Sequence, residues 1–270
     1  MTYTLLKIFG GCLLAYISVA YVLLPIFWRH YEHNPELKQY PKVTETNLGI
    51  SGDALNIGVV GTEDEVINAF LLAGWLPADP ITFSSSRKIV WSVLAQKSYP
   101  TAPMSKLYLF KRKQDLAFER ELGNSAKRRH HVRFWQTKIL DPLHRPLWIG
   151  AATFDESVGL SHYTGQVTHR ISPDIDAERD KILKDLQDVR QVSLLYSVTG
   201  VGPTFRGRNG GGDSYFTDGE IWIGMISPDN VEISGQVKIL DNPWPTNMIE
   251  KSWDVVTHLW KQFDRESENK

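Results

Sequence analysis

The sequence predicts an α+β domain, an antiparallel sheet with flanking helices, preceded by a single N-terminal transmembrane helix. Three observations carry this prediction. The run from Ile8 to Trp28 holds no charged side chain, and a run of that length covers the roughly 30 Å of hydrocarbon in a bilayer. From Lys106 to Ile171 the apolar residues recur with period two, broken by short turn clusters, as in an antiparallel meander. Helical patterns gather before and after the strand blocks instead of alternating with them, which favours α+β over a parallel α/β sheet.

The element order begins with residues 1–29, read as the membrane anchor. Trp28, Arg29 and Tyr31 suit the hydrocarbon edge, and Pro25 is tolerated near the end of a spanning helix. A cleaved signal peptide is the alternative, with Lys7 as its positive region and Ser18-Val19-Ala20 as small residues near a cleavage point. The side of the membrane stays open. Arg29, Lys38 and Lys42 outnumber Lys7 and lean toward a cytoplasmic domain, yet anchors with so few flanking charges often insert the other way. Cys12, the one cysteine, lies inside the run and supports neither a disulfide framework nor a thiolate metal site.

Residues 30–46 read as a linker, and 47–265 as the folded domain. Thr62 with Glu65 forms a capping box opening a helix with Val66, Phe70 and Ala73 inward and Gly74 at its end. Ser84-Ser85-Ser86 is expected to cap a second helix carrying Val90, Trp91 and Leu94. Strands are expected over 107–110, 116–122, 132–139, 147–154 and 166–171. Ser172-Pro173-Asp174 then opens a helix with Ile175, Ile182, Leu186 and Val189 as its stripe. Further strands follow at 192–198, 220–226 and 231–240, and a last helix bears Trp253, Val256, Trp260 and Phe263.

Lys plus Arg number 30 and Asp plus Glu 31, so no global charge points to nucleic acid. The one basic run is Lys127-Arg128-Arg129-His130-His131. It reads as a strand end or as a contact for a phosphate or lipid headgroup.

Several strings carry a resemblance: Tyr99 to Phe110 (YPTAPMSKLYLF), Gln114 to Phe118 (QDLAF), Arg129 to Trp135 (RHHVRFW), Trp148 to Asp155 (WIGAATFD) and Thr168 to Asp180 (THRISPDIDAERD). Together they resemble the LssY-like C-terminal domain, named after a component of a type I secretion locus, over most of residues 45–265. The resemblance implies a bacterial envelope protein with membrane or envelope-protein partners. In longer members this domain follows a multi-pass region and a lipid-phosphatase-like domain; in this sequence a single anchor is expected in their place. Lys138 with Arg145-Pro146 fits the first of three strings of membrane acid phosphatases. The Ser-Gly-His and nucleophile strings are not matched, so 138–146 reads as a hairpin connection.

Candidate chemistry rests on an assumed register. Pairing Thr137 with Leu147, and Asp155 with Tyr163, gathers His130, Asp155 and His162 at one sheet end with His131 nearby. It leaves His169 about 13 Å away at the usual strand rise. Such imidazole and carboxylate groups could ligate zinc or iron, with Arg128, Arg129 or Arg133 holding an anionic substrate. The simpler reading is that each histidine is satisfied by local hydrogen bonds. Asp174, Asp176, Glu178 and Asp180 read as helix-start acids favoured by the dipole and by pairing with Arg170, Arg179 or Lys181. The glycine-rich stretch 207–213 reads as a mobile connection, or as a ligand-gating or partner loop. Two functions follow: a non-catalytic membrane-anchored accessory or binding module of the bacterial envelope, or a metal-dependent hydrolase acting on a phosphate- or lipid-derived substrate.

Overall fold

A computed structural model describes residues 2–26, 34–78, 106–122, 125–163, 165, 167–201, 204–228 and 237–240, with scattered positions between 248 and 259. Helix α1 (Thr2–Ser18) runs through a π-helical turn, Val19–Leu23, to Ile26. Within Tyr3–Ile26, eighteen consecutive residues reach a mean hydropathy of 2.0, and none of these is buried against protein. The length and composition of the stretch suffice to cross a membrane, a test that a signal sequence would also pass. It begins earlier than the charge-free run suggests, because Lys7 does not interrupt the helix.

Among the described residues, fifteen strands make three sheets. The main sheet is built on β7 (Leu116–Leu122), β8 (Ser125–Leu140), β9 (Pro146–Leu160) and β10 (Val167–Ile171), each antiparallel to the next. This is the expected meander. It extends from β9 through β3 (Ile57–Val60), β14 (Glu220–Ile226) and β11 (Val192–Thr199) to β15 (Lys238–Ile239), and from β7 to β4 (Leu76–Pro77). Two contacts are parallel, β14 with β3 and β11 with β15. The sheet is therefore mixed, although antiparallel pairs dominate. A second sheet holds β1 (Val43–Thr46), β2 (Ser51–Ala54), β5 (Leu107–Leu109) and β6 (Arg112–Lys113). Leu107–Leu109 thus belongs outside the meander. β12 (Thr204–Arg208) and β13 (Ser214–Thr217) form a separate hairpin.

Helix α2 (Glu63–Leu72) carries the capping box in full: Thr62 accepts from Glu65 N, and Glu65 accepts from Thr62 N. Gly74, at φ +79°, ends it. Helix α3 (Ile175–Asp188) is capped by Asp174, whose side chain accepts from Ala177 N. Both helices cover one face of the main sheet. Val66, Phe70, Ile182 and Leu186 pack there on Phe118, Val132 and Phe134. The opposite face carries a second core of Leu55, Leu107, Leu109, Trp135, Ile149 and Ile223. Buried Asn56 extends the ladder past the end of β3. Its side chain accepts from Ala152 N and donates to Ala152 O and Ile175 O, standing in for a strand residue and fastening α3 to β9.

The expected Ser84 helix lies outside the described residues, as do Trp253, Val256, Trp260 and Phe263 of the last expected helix. Of the strand expected over 231–240, the described portion pairs at Lys238 and Ile239.

Candidate functional site

Strand alternation sends successive residues of β8 to opposite faces of the sheet. His130 therefore points to the helix side with Val132 and Phe134, while Arg129, His131 and Arg133 point to the other side with Trp135. The observed β8–β9 register places His131 opposite Thr153 and Gln136 opposite Trp148, as the sequence suggests. The β9–β10 register differs. Strand β9 runs on to Leu160, so His169 lies opposite Val158 and not Ile149.

That shift rearranges the expected cluster. His169 Nδ1 comes within 3.7 Å of Asp155 Oδ2, which His131 Nε2 approaches to 2.7 Å on the same face. His162 instead sits in the β9–β10 turn, its side chain 53% exposed and 3.9 Å from Asp213 Oδ1. His130, on the far face, brings Nδ1 to 2.7 Å from Glu178 Oε2 of α3. The four proposed metal ligands are thus divided among three places. Asp155 and His131 stay together, His130 and His162 leave, and His169 joins. Among the described residues, no group of three or more His, Cys, Asp or Glu is arranged to hold a metal ion.

On the helix side, the His130–Glu178 pair lies among aromatic rings, 4.6 Å from the Phe154 centroid and 6.0 Å from that of Trp75. Among the described residues, His130 Nε2 and Glu178 Oε1 find no hydrogen-bond partner. Burial raises the Glu178 pKa, and the contact with His130 opposes the rise. Arg128 is exposed, with its guanidinium 5.6 Å over the Phe154 ring, a cation–π contact away from the other two arginines.

The opposite face carries a ladder of ion pairs. Arg129 reaches Glu119 of β7 at 3.4 Å, and Arg133 reaches Asp53 of β2 at 3.4 Å. Glu119, Arg129, His131, Arg133 and Asp155 are all buried. Neither ring nitrogen of His131 makes a hydrogen bond, since the Nε2 approach to Asp155 has the distance of one without the direction. Burial raises the Asp53 pKa; Arg133 opposes this, while Asp155 and Asp213 add to it. Arg129 and Arg133 are therefore engaged by carboxylates at the positions proposed for anion capture.

The stretch 208–213 flanks this face as a hydrogen-bonded turn. Asn209 Oδ1 accepts from Gly211 N and Asp213 N, Arg208 donates to Gly212 O, and His162 N donates to Gly211 O. Gly212, at φ +89°, lies so close to His162 that a Cβ would come within 2.7 Å of the histidine Cβ. Asp213 Oδ2 accepts from Ile171 N, which ties the turn to β10.

The helix-start acids also divide. Asp176 stands in the first turn and pairs with Arg179 as expected, and it is buried as well. It accepts from Thr217 Oγ1 at 2.9 Å and Asp218 N at 2.6 Å, and lies 3.4 Å from Arg179. Burial and then the neighbouring Asp218 push its pKa up to about 6 against the pull of Arg179. Glu178 takes His130 as its partner in place of Arg170, Arg179 or Lys181. Lys138 lies at the end of β8 and Pro146 at the start of β9, joined by the hairpin turn 141–145, in which Arg145 is bound to Asp141, Glu65 and Ile226 O.

Fold and site together define a class: an α+β domain with buried ion pairs on both faces of a mixed sheet, following a long apolar helix. Residues 37–230 match the family model described as the LssY C-terminus. This is more than half of the chain, which belongs to that family. None of the curated proteins or solved structures compared with the chain matches it.

Proposed function

We propose that the chain is a membrane-anchored binding or accessory module of the bacterial cell envelope, held at the bilayer by Tyr3–Ile26. The observation that supports this reading is the dispersal of the histidines. His130 pairs with Glu178, His131 and His169 share Asp155, and His162 faces Asp213. The buried pairs His130–Glu178 and His131–Asp155 hold the two sheet faces in shape, while His162 and His169 stand at exposed edges.

A second reading, a zinc- or iron-dependent hydrolase of a phosphate- or lipid-derived substrate, is favoured by one contact set. Asp155 Oδ2 lies within 2.7 Å of His131 Nε2 and 3.7 Å of His169 Nδ1. Closure of these three groups around an ion would make a site open to water.

The test is alkaline carbonate washing of membranes holding the full chain, then metal analysis of the detergent-extracted protein. The proposal expects recovery in the membrane pellet and zinc and iron well below one per chain. Recovery in the wash supernatant would overturn the anchor. Stoichiometric metal, lost in His131→Ala and His169→Ala, would establish the second reading instead.

A further inference from the structure

One end of the domain is tied by a short tether to the apolar helix. Seven residues, 27–33, separate Ile26 from Asn34. Even fully extended, the eight steps between them span at most about 29 Å. Asn34 is fixed to the domain: it hydrogen-bonds the Tyr196 side chain, which also feels the charge of Asp141. The short 3-10 helix Pro35–Gln39 that follows buries Leu37 in the core beside Trp135, Leu147 and Val198. Lys42 Nζ donates to Leu37 O and Thr199 O. Through Tyr196 and Asp141 the chain enters the domain near the end where β8 turns into β9, and by Lys42 it has run on to Thr199 at the far end of β11.

The β8–β9 end presents exposed apolar side chains on a rigid turn. Leu140 and Leu143 are 53% and 64% exposed. Between and after them, Asp141 fixes the turn by accepting from Leu143 N, Arg145 N and Arg145 Nε. The neighbouring β5–β6 hairpin is joined to this end through Trp135 Nε1 to Arg112 O and the Tyr40–Phe110 ring contact. Lys38, Lys111, Lys113 and Lys138 are exposed around it, against the acids Glu36, Glu63 and Asp64. Leu160 and Tyr163 are also exposed, but they lie at the opposite end of β9, away from the tether.

We propose that the Leu140–Leu143 turn rests in the headgroup interface of the bilayer that holds the chain's own apolar helix, with the surrounding lysines against lipid phosphates. Two leucines on a fixed turn add apolar burial at the interface, and lysines within a Debye length of an anionic surface add attraction. The tether makes this cheap, because the domain is already confined to the membrane surface. The inference rests on the anchored reading of Tyr3–Ile26. It adds that the domain sits in one orientation, presenting the β9–β10 turn and His162 away from the lipid.

The experiment uses the full chain with Cys12→Ser, reconstituted into nanodiscs of phosphatidylcholine with or without phosphatidylglycerol. Leu143→Cys, Leu140→Cys and Tyr163→Cys are each labelled with an environment-sensitive nitrobenzoxadiazole fluorophore. Because all three positions are exposed, the substitutions leave the core intact. The proposal expects blue-shifted emission and loss of intensity to spin-labelled lipid at 140 and 143, increased by phosphatidylglycerol, and neither effect at 163. Water-like emission at 140 and 143 in protein that co-purifies with the discs would overturn the docking and leave the anchor standing. Protein that does not co-purify with discs would overturn both.

Discussion

His130 and His131 are neighbours in the chain and belong to different environments. His130 stands in an aromatic setting under α3, held by one carboxylate from a helix. His131 stands on the other face, in a ladder where arginines, histidines and carboxylates from β2, β7, β8, β9 and β10 alternate. One step along the strand separates them, and the pleat puts the whole sheet between their rings. A sequence motif on a strand is therefore two half-motifs, and neighbouring ligand-type residues are poor evidence for one site.

The largest expected effect breaks the ladder. Arg129→Met leaves Glu119 buried without this partner, and removing one member of a buried pair costs about 3–5 kcal/mol. Chemical denaturation at neutral pH measures it; a loss under about 1 kcal/mol would mean that water or another cation reaches Glu119.

A second prediction concerns pH. The folded pKa of Asp176, about 6, lies above its unfolded value of 3.8, so the folded state holds the proton longer. The stability that Asp176 contributes is complete below pH about 4 and is lost as the pH rises toward about 6. The stability of the native chain relative to Asp176→Asn should fall across that window and stay level above it. A difference that grows across the window would reverse the assignment.

On the helix side, His130→Phe alone leaves Glu178 unpaired in an apolar setting and should cost about 1–3 kcal/mol. The double change with Glu178→Leu should recover much of that loss, since replacing both partners of a buried pair can be nearly neutral. No recovery would mean that the pair is not what binds α3 to β8.

The smallest effect is at the half-exposed edge of the ladder. His169→Ala should cost no more than about 1 kcal/mol, because its Asp155 contact is long and its side chain is 36% exposed. A larger loss would show tighter coupling to His131 than the distances imply.

Much of this was legible where local pattern and tertiary burial agree. Thr62 and Glu65 announce the α2 cap from spacing alone. The β8–β9 register follows because both strands bury their faces, so a one-residue slip would expose a core. The β9–β10 register was not legible. Glu156, Ser157 and Leu160 are exposed, and a strand with little buried side carries little register information. Alternation alone therefore sets His169 far from Asp155, and His162 near it. Asp53, Glu119 and Glu178 gave no periodic signal as partners, because each reaches its cation from a different element. Asn56 reads as one polar residue interrupting an apolar run, although its amide completes the ladder beside β9. The parallel β14–β3 contact joins residues more than 160 apart, which no local pattern encodes.

The division of the two faces is tested most directly by a double-mutant cycle between His130→Ala and Asp155→Asn. These residues would share an ion in a metal-centred site and lie on opposite faces in this structure. Separate clusters predict that the two stability losses add within about 0.5 kcal/mol, with no change in metal content. A double mutant no less stable than either single one, with bound metal lost in all three, would contradict the account.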